Sequence, residues 1–295
     1  MSKFLIFFCM IFIFSSIQAQ NIEDLVSKYT DENGEKFMQP VADILGSTIN
    51  SGLNHTAKIK KNGFQLYIGL NSMVAFVPDK LKTFEAVPEG MFEPKTPVEV
   101  PTIVGESNNV AVSGTGGTTY LFPGGLNLKY LPYFTPQLTI GSVMGTNLTI
   151  RYLGFNTTED IGRFSTFGWG INHSISQYIA TIPVDLAIGL YNQYFSIGDI
   201  VSTKTWLFDA QVSYNLLLFT FYGNLGYETS RLNAEYTYES DGTEETISFD
   251  LKAKNNISLT TGVTFNLGPV RLFTNYKIAY QSVLTVGLGF GIGDK

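Results

Sequence analysis

The chain has 295 residues, of which 44% are hydrophobic and 15% are charged, and its formal net charge is −6. An acidic chain does not suit a nucleic acid or another polyanion as a partner. The single cysteine, Cys9, lies in the N-terminal apolar run. Removal of that run on export would exclude disulfides, thiolate metal sites and a cysteine nucleophile.

Residues 1–19 have the three parts of a secretory signal peptide. Lys3 provides the positive start, Phe4 to Phe14 the apolar core, and Ile17-Gln18-Ala19 a small-residue cleavage site. The apolar core is too short to span a bilayer. No apolar run of roughly 18 residues follows it, so the mature chain could enter a membrane only as a closed sheet.

Residues 20–63 differ from the rest of the chain because their apolar residues recur at helical spacing. Such spacing from Phe37 to Thr48 predicts an amphipathic helix, and a shorter helix is expected over Ile22–Tyr29. Two interpretations remain open, a helical segment in the periplasm and a plug inside a barrel. In the second, a hinge would follow the helix, at Gly52, Asn54 and His55.

From Phe64 onward, apolar residues alternate with polar or small ones, which indicates strands with one apolar and one polar face. The pattern is clearest at the end of the chain, where every second residue from Leu284 to Ile292 is apolar. Ten strands are predicted, at about 64–76, 136–143, 147–155, 163–174, 184–196, 203–215, 217–230, 255–267, 269–280 and 283–292.

An export signal followed by alternating strands predicts that residues 64–295 form an antiparallel transmembrane β-barrel of a Gram-negative outer membrane, with an even number of about ten to fourteen strands. Both termini are expected in the periplasm. Long outer loops are predicted at 78–135, which could hide further strands, and at 231–254, which suggests a hairpin with its turn at Asp241-Gly242. A soluble β-sandwich is disfavoured because the polar parity carries few charges.

The predicted inner face carries charges of both signs among apolar side chains, so it forms no single-sign selectivity ring. The charges could pair with one another or with the N-terminal segment in a narrow, filled lumen. The apolar lining could alternatively provide a route for an apolar solute. The candidate lumen-lining residues are Tyr67, Met73, Arg151, Leu153, Asp185, Asp209, Tyr222, Glu228, Arg271, Phe273 and Lys277.

Motifs for catalysis or cofactor binding are missing from the sequence. The two histidines, His55 and His173, are far apart, and neither HExxH, GxSxG nor a phosphate-binding loop occurs. Ser174 beside His173 is too little to indicate an active site. No catalytic residue, cofactor or metal site is therefore predicted.

Three stretches carry a resemblance to a known family, namely Asn50–Ala57, Gly145–Tyr152 and Leu284–Phe290. With them, the mature chain resembles the long-chain fatty-acid and hydrocarbon transporters of outer membranes (FadL-like barrels), and more closely an uncharacterised outer-membrane barrel family of that kind. The resemblance implies an N-terminal hatch and passive uptake of a small hydrophobic compound. The chain is shorter than these transporters, with fewer recognisable strands.

Two functions are therefore expected, binding or uptake of a small hydrophobic compound and, alternatively, a structural or surface-interaction barrel with a closed lumen and partner-binding outer loops. The expected partners are outer-membrane lipid, lipopolysaccharide, a small hydrophobic ligand and the barrel-insertion machinery. That machinery would recognise the chain near Phe290.

Overall fold

The computed structural model describes residues 29, 31–156, 162–179, 182–198, 200–240 and 243–293. The predicted signal peptide, most of the first predicted helix and the predicted Asp241-Gly242 turn lie outside these ranges. Among the described helices, none has both the length and the apolar character needed to cross a membrane.

One helix precedes fifteen strands in the described residues. In chain order they are α1 (Asp31–Ile49), β1 (Gln65–Phe76), β2 (Thr83–Ala86), β3 (Val98–Pro101), β4 (Val110–Ser113), β5 (Thr119–Phe122), β6 (Tyr130–Val143), β7 (Thr146–Asn156), β8 (Arg163–Ser174), β9 (Asp185–Ile197), β10 (Val201–Leu216), β11 (Phe219–Ser240), β12 (Thr243–Lys252), β13 (Ile257–Leu267), β14 (Val270–Ile278) and β15 (Val283–Ile292).

Ten of the strands close into an antiparallel barrel. Their order is β10-β9-β8-β7-β6-β1-β15-β14-β13-β11, and β11 pairs back onto β10 to complete the ring. The first and last strands are neighbours, paired from Leu66↔Ile292 to Ala75↔Val283. The predicted fold class, an antiparallel barrel with an even number of ten to fourteen strands preceded by a helical segment, is confirmed, and the number of barrel strands is ten.

The long segment between β1 and β6 ends earlier than the predicted loop 78–135, and it holds further strands, as that prediction allowed. It contains two small antiparallel sheets, β2–β3 and β4–β5, which do not join the barrel. The predicted hairpin in 231–254 is present, because β12 pairs with β11 from Arg231 to Ser240.

Strand β6 begins at Tyr130, six positions before the predicted start at 136. Pro132 and Pro136 lie inside the strand. From Tyr130 to Pro136 the strand pairs with β1, but its pairing with β7 begins only at Gln137. A strand with one unpaired side accommodates proline, which has no N–H to donate.

The two faces of the wall follow the alternation of the sequence. In β15, Leu288 and Phe290 point outward and are exposed, whereas Thr285 is buried in the lumen. Apolar side chains on the other barrel strands form the same outward belt. Exposing it to water would cost roughly 25 cal/mol per Å² of apolar surface, so the belt requires an apolar surrounding.

The two ends of the barrel differ in their connections. The short-turn end holds the β6–β7, β10–β11 and β13–β14 turns, and the long-loop end holds the β1–β6 segment and the β11–β12 hairpin. Gly293 lies at the short-turn end, next to Phe64. Tyr29 lies at the long-loop end, where its ring packs near Phe84 and Phe122. The predicted periplasmic position of both termini concerns residues outside the described ranges.

Candidate functional site

Helix α1 lies inside the barrel, in the half nearer the long-loop end. Its apolar face buries Phe37, Ile44 and Ile49 against the wall and the β11–β12 hairpin. The buried carboxylate of Asp43 accepts a hydrogen bond from the backbone N–H of Lys254 at 2.7 Å. Burial raises the pKa of Asp43, and its hydrogen bonds with Lys254 and Gln39 oppose that shift. The helix is thus fixed by apolar packing and by buried polar contacts.

A buried ion pair contacts the last turn of α1. Lys277 of β14 and Glu228 of β11 are both 2% exposed, and their Nζ and Oε2 atoms are 2.6 Å apart. The same ammonium donates to the carbonyl of Ser47 on the helix at 3.1 Å. These two predicted lumen charges therefore meet each other and the N-terminal segment.

Arg151 of β7 binds the C-terminal end of α1. Its guanidinium donates to the carbonyls of Ile49 and Ser51 at 3.3 and 3.0 Å, and to the side chain of Gln137 at 2.9 Å. The last carbonyls of a helix lack intrahelical donors and form the negative end of its dipole. A buried guanidinium supplies both the donors and the opposite charge.

Beyond the helix, the chain runs down the lumen as an extended polar segment, residues 50–63, which we call the lumenal segment. Its Gly52 has φ +65°, and a Cβ there would lie 2.8 Å from Cγ2 of Thr285. The carbonyl of Gly52 accepts a hydrogen bond from Asn71 at 2.9 Å. The position requires glycine for its conformation and for its close approach to the wall.

Asn54 and His55 are fixed to opposite sides of the lumen. Asn54 donates to Asp209 at 2.9 Å and accepts from the hydroxyl of Tyr191 at 2.6 Å. The ring of His55 lies 4.4 Å from that of Tyr67 and 5.6 Å from that of Phe273, measured between centroids. The residues predicted as a hinge are thus firmly bound to lumen-facing side chains.

The remaining predicted lumen residues have other surroundings. Arg271 donates to the carbonyls of Gly268 at 2.6 Å and Gly291 at 3.2 Å, near the short-turn end. Asp185 accepts from Asn215 at 2.8 Å. Of the other predicted lumen residues, Tyr222 and Met73 are buried and Leu153 is half-buried.

Two small polar cavities lie beside the lumenal segment, with volumes of about 40 and 20 Å³. Asn54 lines both of them. One water molecule needs roughly 10–15 Å³ of such volume, so these spaces suit one or a few waters. At this level the lumen is occupied by protein.

A larger apolar cavity of about 330 Å³ lies at the long-loop end. Helix α1 forms one side of it, two stretches of the β1–β6 segment another, and the upper ends of β6, β8, β9 and β10 the third. Its lining residues are Met38, Val41, Ile44, Leu45, Ile103, Val104, Leu126, Leu128, Leu131, Pro132, Tyr133, Phe164, Phe195, Ile197, Ile200 and Val201.

Backbone hydrogen bonds hold the loop side of this cavity against the helix. The N–H of Ile103 donates to the carbonyl of Phe37 at 3.2 Å, and the N–H of Leu126 to the carbonyl of Ile103 at 2.8 Å. The sequence did not reveal these residues as site residues. They lie between prolines and glycines, where no apolar periodicity marks which side chains face inward.

The wall beside the cavity contains a seam, defined here as β6 from Tyr130 to Pro136 facing β7. Within the described residues, this stretch has no paired residue in β7, although β7 continues to Asn156 along β8. The side chain of Tyr133 reaches past β7 and shares a hydrogen bond of 2.8 Å with Thr166 of β8. Tyr133 therefore lines the cavity and covers the inner side of the seam.

The described residues provide no arrangement for metal chemistry, since no group of three or more His, Cys, Asp and Glu side chains in them could hold an ion. His173 lies at the short-turn end, where its Nδ1 is 2.8 Å from the hydroxyl of Thr146 and its Nε2 is 2.9 Å from that of Tyr178. These contacts hold the turns together.

Residues 1–292 match a family described as "Family of unknown function (DUF6588)". The chain belongs to this family. No curated protein sequence matches it significantly.

Among solved structures, the chain is similar to a loop-deletion mutant of OmpT, an outer membrane protein of Vibrio cholerae, with 9% identity, 78% of this chain and 100% of that chain covered, and a TM-score of 0.28. The toluene transporter TbuX of Ralstonia pickettii has 8% identity, coverage of 85% and 97%, and a TM-score of 0.24. The CymD monoaromatic hydrocarbon channel has 10% identity, coverage of 79% and 88%, and a TM-score of 0.22. Such scores carry no information on the function of this DUF6588 chain.

Proposed function

We propose that this DUF6588 barrel lies in a bacterial outer membrane and binds a small hydrophobic compound for passive uptake. The observation that carries the proposal is the apolar cavity of about 330 Å³ at the long-loop end. Ligand pockets are typically apolar and of roughly 300–1,000 Å³. The apolar outer belt and the predicted export signal support the location, with the long loops outside the cell.

The chemistry of the lining favours a neutral ligand. Tyr133 supplies the hydroxyl of the lining, and that hydroxyl is already bonded to Thr166. A carboxylate placed there would lose its hydration with no cation among the lining residues to compensate. Since an engineered apolar cavity of about 150 Å³ binds benzene, this cavity suits a hydrocarbon of about two rings or an aliphatic chain of similar volume.

The seam gives the bound compound a route that breaks fewer buried hydrogen bonds than passage through the lumen. Passage through the lumen requires breaking the buried hydrogen bonds of the lumenal segment, each of which costs about 1–3 kcal/mol when a partner is left unsatisfied. Passage through the seam requires rotation of Tyr133 away from Thr166, and no ladder between β6 and β7 is broken. Lateral release into the membrane is therefore the proposed exit.

Filling the cavity tests the proposal. In Val104→Trp and Leu126→Phe the added volume occupies the cavity, so we expect at least about tenfold weaker binding of the fluorescent probe N-phenylnaphthylamine by the purified barrel, a change equivalent to about 1.4 kcal/mol. Leu288→Phe, which adds volume on the outer belt, is the matched control and should bind like the wild type.

The alternative is a structural barrel with a closed lumen, and the firmly bound lumenal segment favours it. Equal probe binding by the cavity variants and the control, with unchanged folding on heat-modifiable gels, would support this alternative and reject the uptake proposal.

A further inference from the structure

Three basic residues face each other across adjacent strands near the long-loop end of the wall. Lys204 of β10 is directly opposite Arg231 of β11, and Arg231 is directly opposite Lys252 of β12. All three side chains are exposed. We call these three residues the basic ladder.

Like charges directly opposite on neighbouring strands destabilise a sheet. Among the described residues, Asp250 is the acid within ion-pair distance of the ladder, 3.9 Å from Arg231, and the two side chains are 64% and 74% exposed. Such an exposed pair contributes little, and one acid does not balance three bases. The arrangement becomes favourable when an external anion lies between the side chains.

The ladder occupies the outward face of the wall, above the apolar belt. Tyr194 is directly opposite Lys204, and Trp206, two residues further along β10, packs edge-on against Trp169. Below them, Phe208 and Leu225 are exposed on the same face. Tyrosine and tryptophan mark the membrane interface, so the ladder lies at the level of lipid headgroups.

The positive charge continues past β12. Lys254 follows Lys252 by two residues, and its Nζ is 5.9 Å from the centroid of the Tyr280 ring. Lys80 lies over the same ring at 3.7 Å. Tyr280 therefore holds a further pair of ammonium groups on this rim of the barrel.

We propose that the basic ladder binds the phosphate groups of a phosphorylated glycolipid headgroup in the outer leaflet. The chemistry requires a multiply charged anion attached to acyl chains, as in the lipid A part of lipopolysaccharide. The phosphates contact Lys204, Arg231 and Lys252, while the acyl chains lie along the apolar belt below. A soluble polyanion fits less well, because the ladder points sideways from the wall and adjoins the interface aromatics.

Native mass spectrometry of the purified barrel with lipid A tests this site. The variant is Lys204→Gln/Arg231→Gln/Lys252→Gln, and the charge-matched control is Lys60→Gln/Lys61→Gln/Lys129→Gln, whose residues are exposed elsewhere. We expect the ladder variant to bind bisphosphorylated lipid A about tenfold more weakly or worse, as loss of charge-assisted contacts predicts, and the control to bind it normally. Dephosphorylated lipid A should bind both equally weakly.

A stability measurement separates binding from a structural role. Without lipid, the ladder variant should unfold at the same temperature as the wild type or higher, because its substitutions remove repulsion. Lower stability without lipid, or equal binding of both lipid A forms to the wild type, would overturn the proposal. Equally strong binding of phosphatidylglycerol or of dextran sulfate would also overturn it, since the site would then select neither a glycolipid nor a membrane ligand.

Discussion

At the residue scale, the lumenal segment is fixed by side chains that meet backbone groups. Arg151 binds the carbonyls that end α1, and Asn71 binds the carbonyl of Gly52. Buried backbone groups need such partners, because an unsatisfied one costs about as much as a lost hydrogen bond. The position of the segment therefore depends on a few individual residues.

Gly52→Ala tests the close approach of this segment to the wall. The left-handed conformation costs alanine about 1–2 kcal/mol, and the contact of the new Cβ with Cγ2 of Thr285 adds to that cost. Gly90→Ala is the matched control, since Gly90 has φ +63° and open space around it. We expect the larger loss of unfolding free energy in Gly52→Ala. Thr285→Ser, which removes that methyl, should recover part of it, and no recovery would contradict the contact.

At the element scale, one buried ion pair connects α1 to two strands, β11 and β14. Lys277 joins Glu228 of β11 to the carbonyl of Ser47, so the ion pair and the helix share one ammonium. Removal of one partner of a buried ion pair leaves an uncompensated charge, whereas removal of both leaves none.

A double-mutant cycle on this pair measures its contribution. We expect Lys277→Met and Glu228→Gln to lose unequal amounts of unfolding free energy in urea, with Lys277→Met losing about 3–5 kcal/mol because it leaves Glu228 buried without its partner. The double variant should be more stable than Lys277→Met. Additive losses would show that the two side chains do not stabilise each other.

The strand pattern could be predicted from the sequence because the wall has one apolar and one polar face, so a period of two marks most of the barrel wall. It is interrupted in β6 by the register shift between Ile140 and Val143. The start of β6 at Tyr130 could not, because Pro132 indicates a loop unless the unpaired seam is known. The basic ladder could not be predicted either, since Lys204, Arg231 and Lys252 become neighbours only through the register of their strands. The apolar cavity depends on loop residues that follow no period.

At the scale of the whole molecule, the barrel has an apolar half and a polar half. The cavity and the apolar face of α1 fill the long-loop end, and the lumenal segment fills the other with hydrogen bonds. The seam opens beside the apolar half, so a compound bound as proposed would be nearer to the unpaired stretch of the wall than to the lumenal segment.

Pro132→Val/Pro136→Val tests the seam. Both substitutions restore a backbone N–H and introduce a residue suited to strands. The backbone hydrogen bonds between β6 and β7 can then extend toward the long-loop end. We expect slower transfer of N-phenylnaphthylamine into liposomes carrying the barrel, with probe binding by the purified barrel unchanged. Pro97→Val in the exposed loop is the control. Equal rates of probe transfer by the wild type, the double variant and the control would exclude exit through the seam.

The pairing of β1 with β15 determines the order in which the molecule can be assembled. The wall remains open until residues near the C-terminus meet residues that were synthesised long before. Helix α1 and the lumenal segment precede β1 in the chain, so they are available to the unclosed sheet throughout. The other strands can pair while α1 and the lumenal segment are already present, and β15 then closes the ring around them. Closure of the wall by β15 is therefore the step that encloses the N-terminal segment.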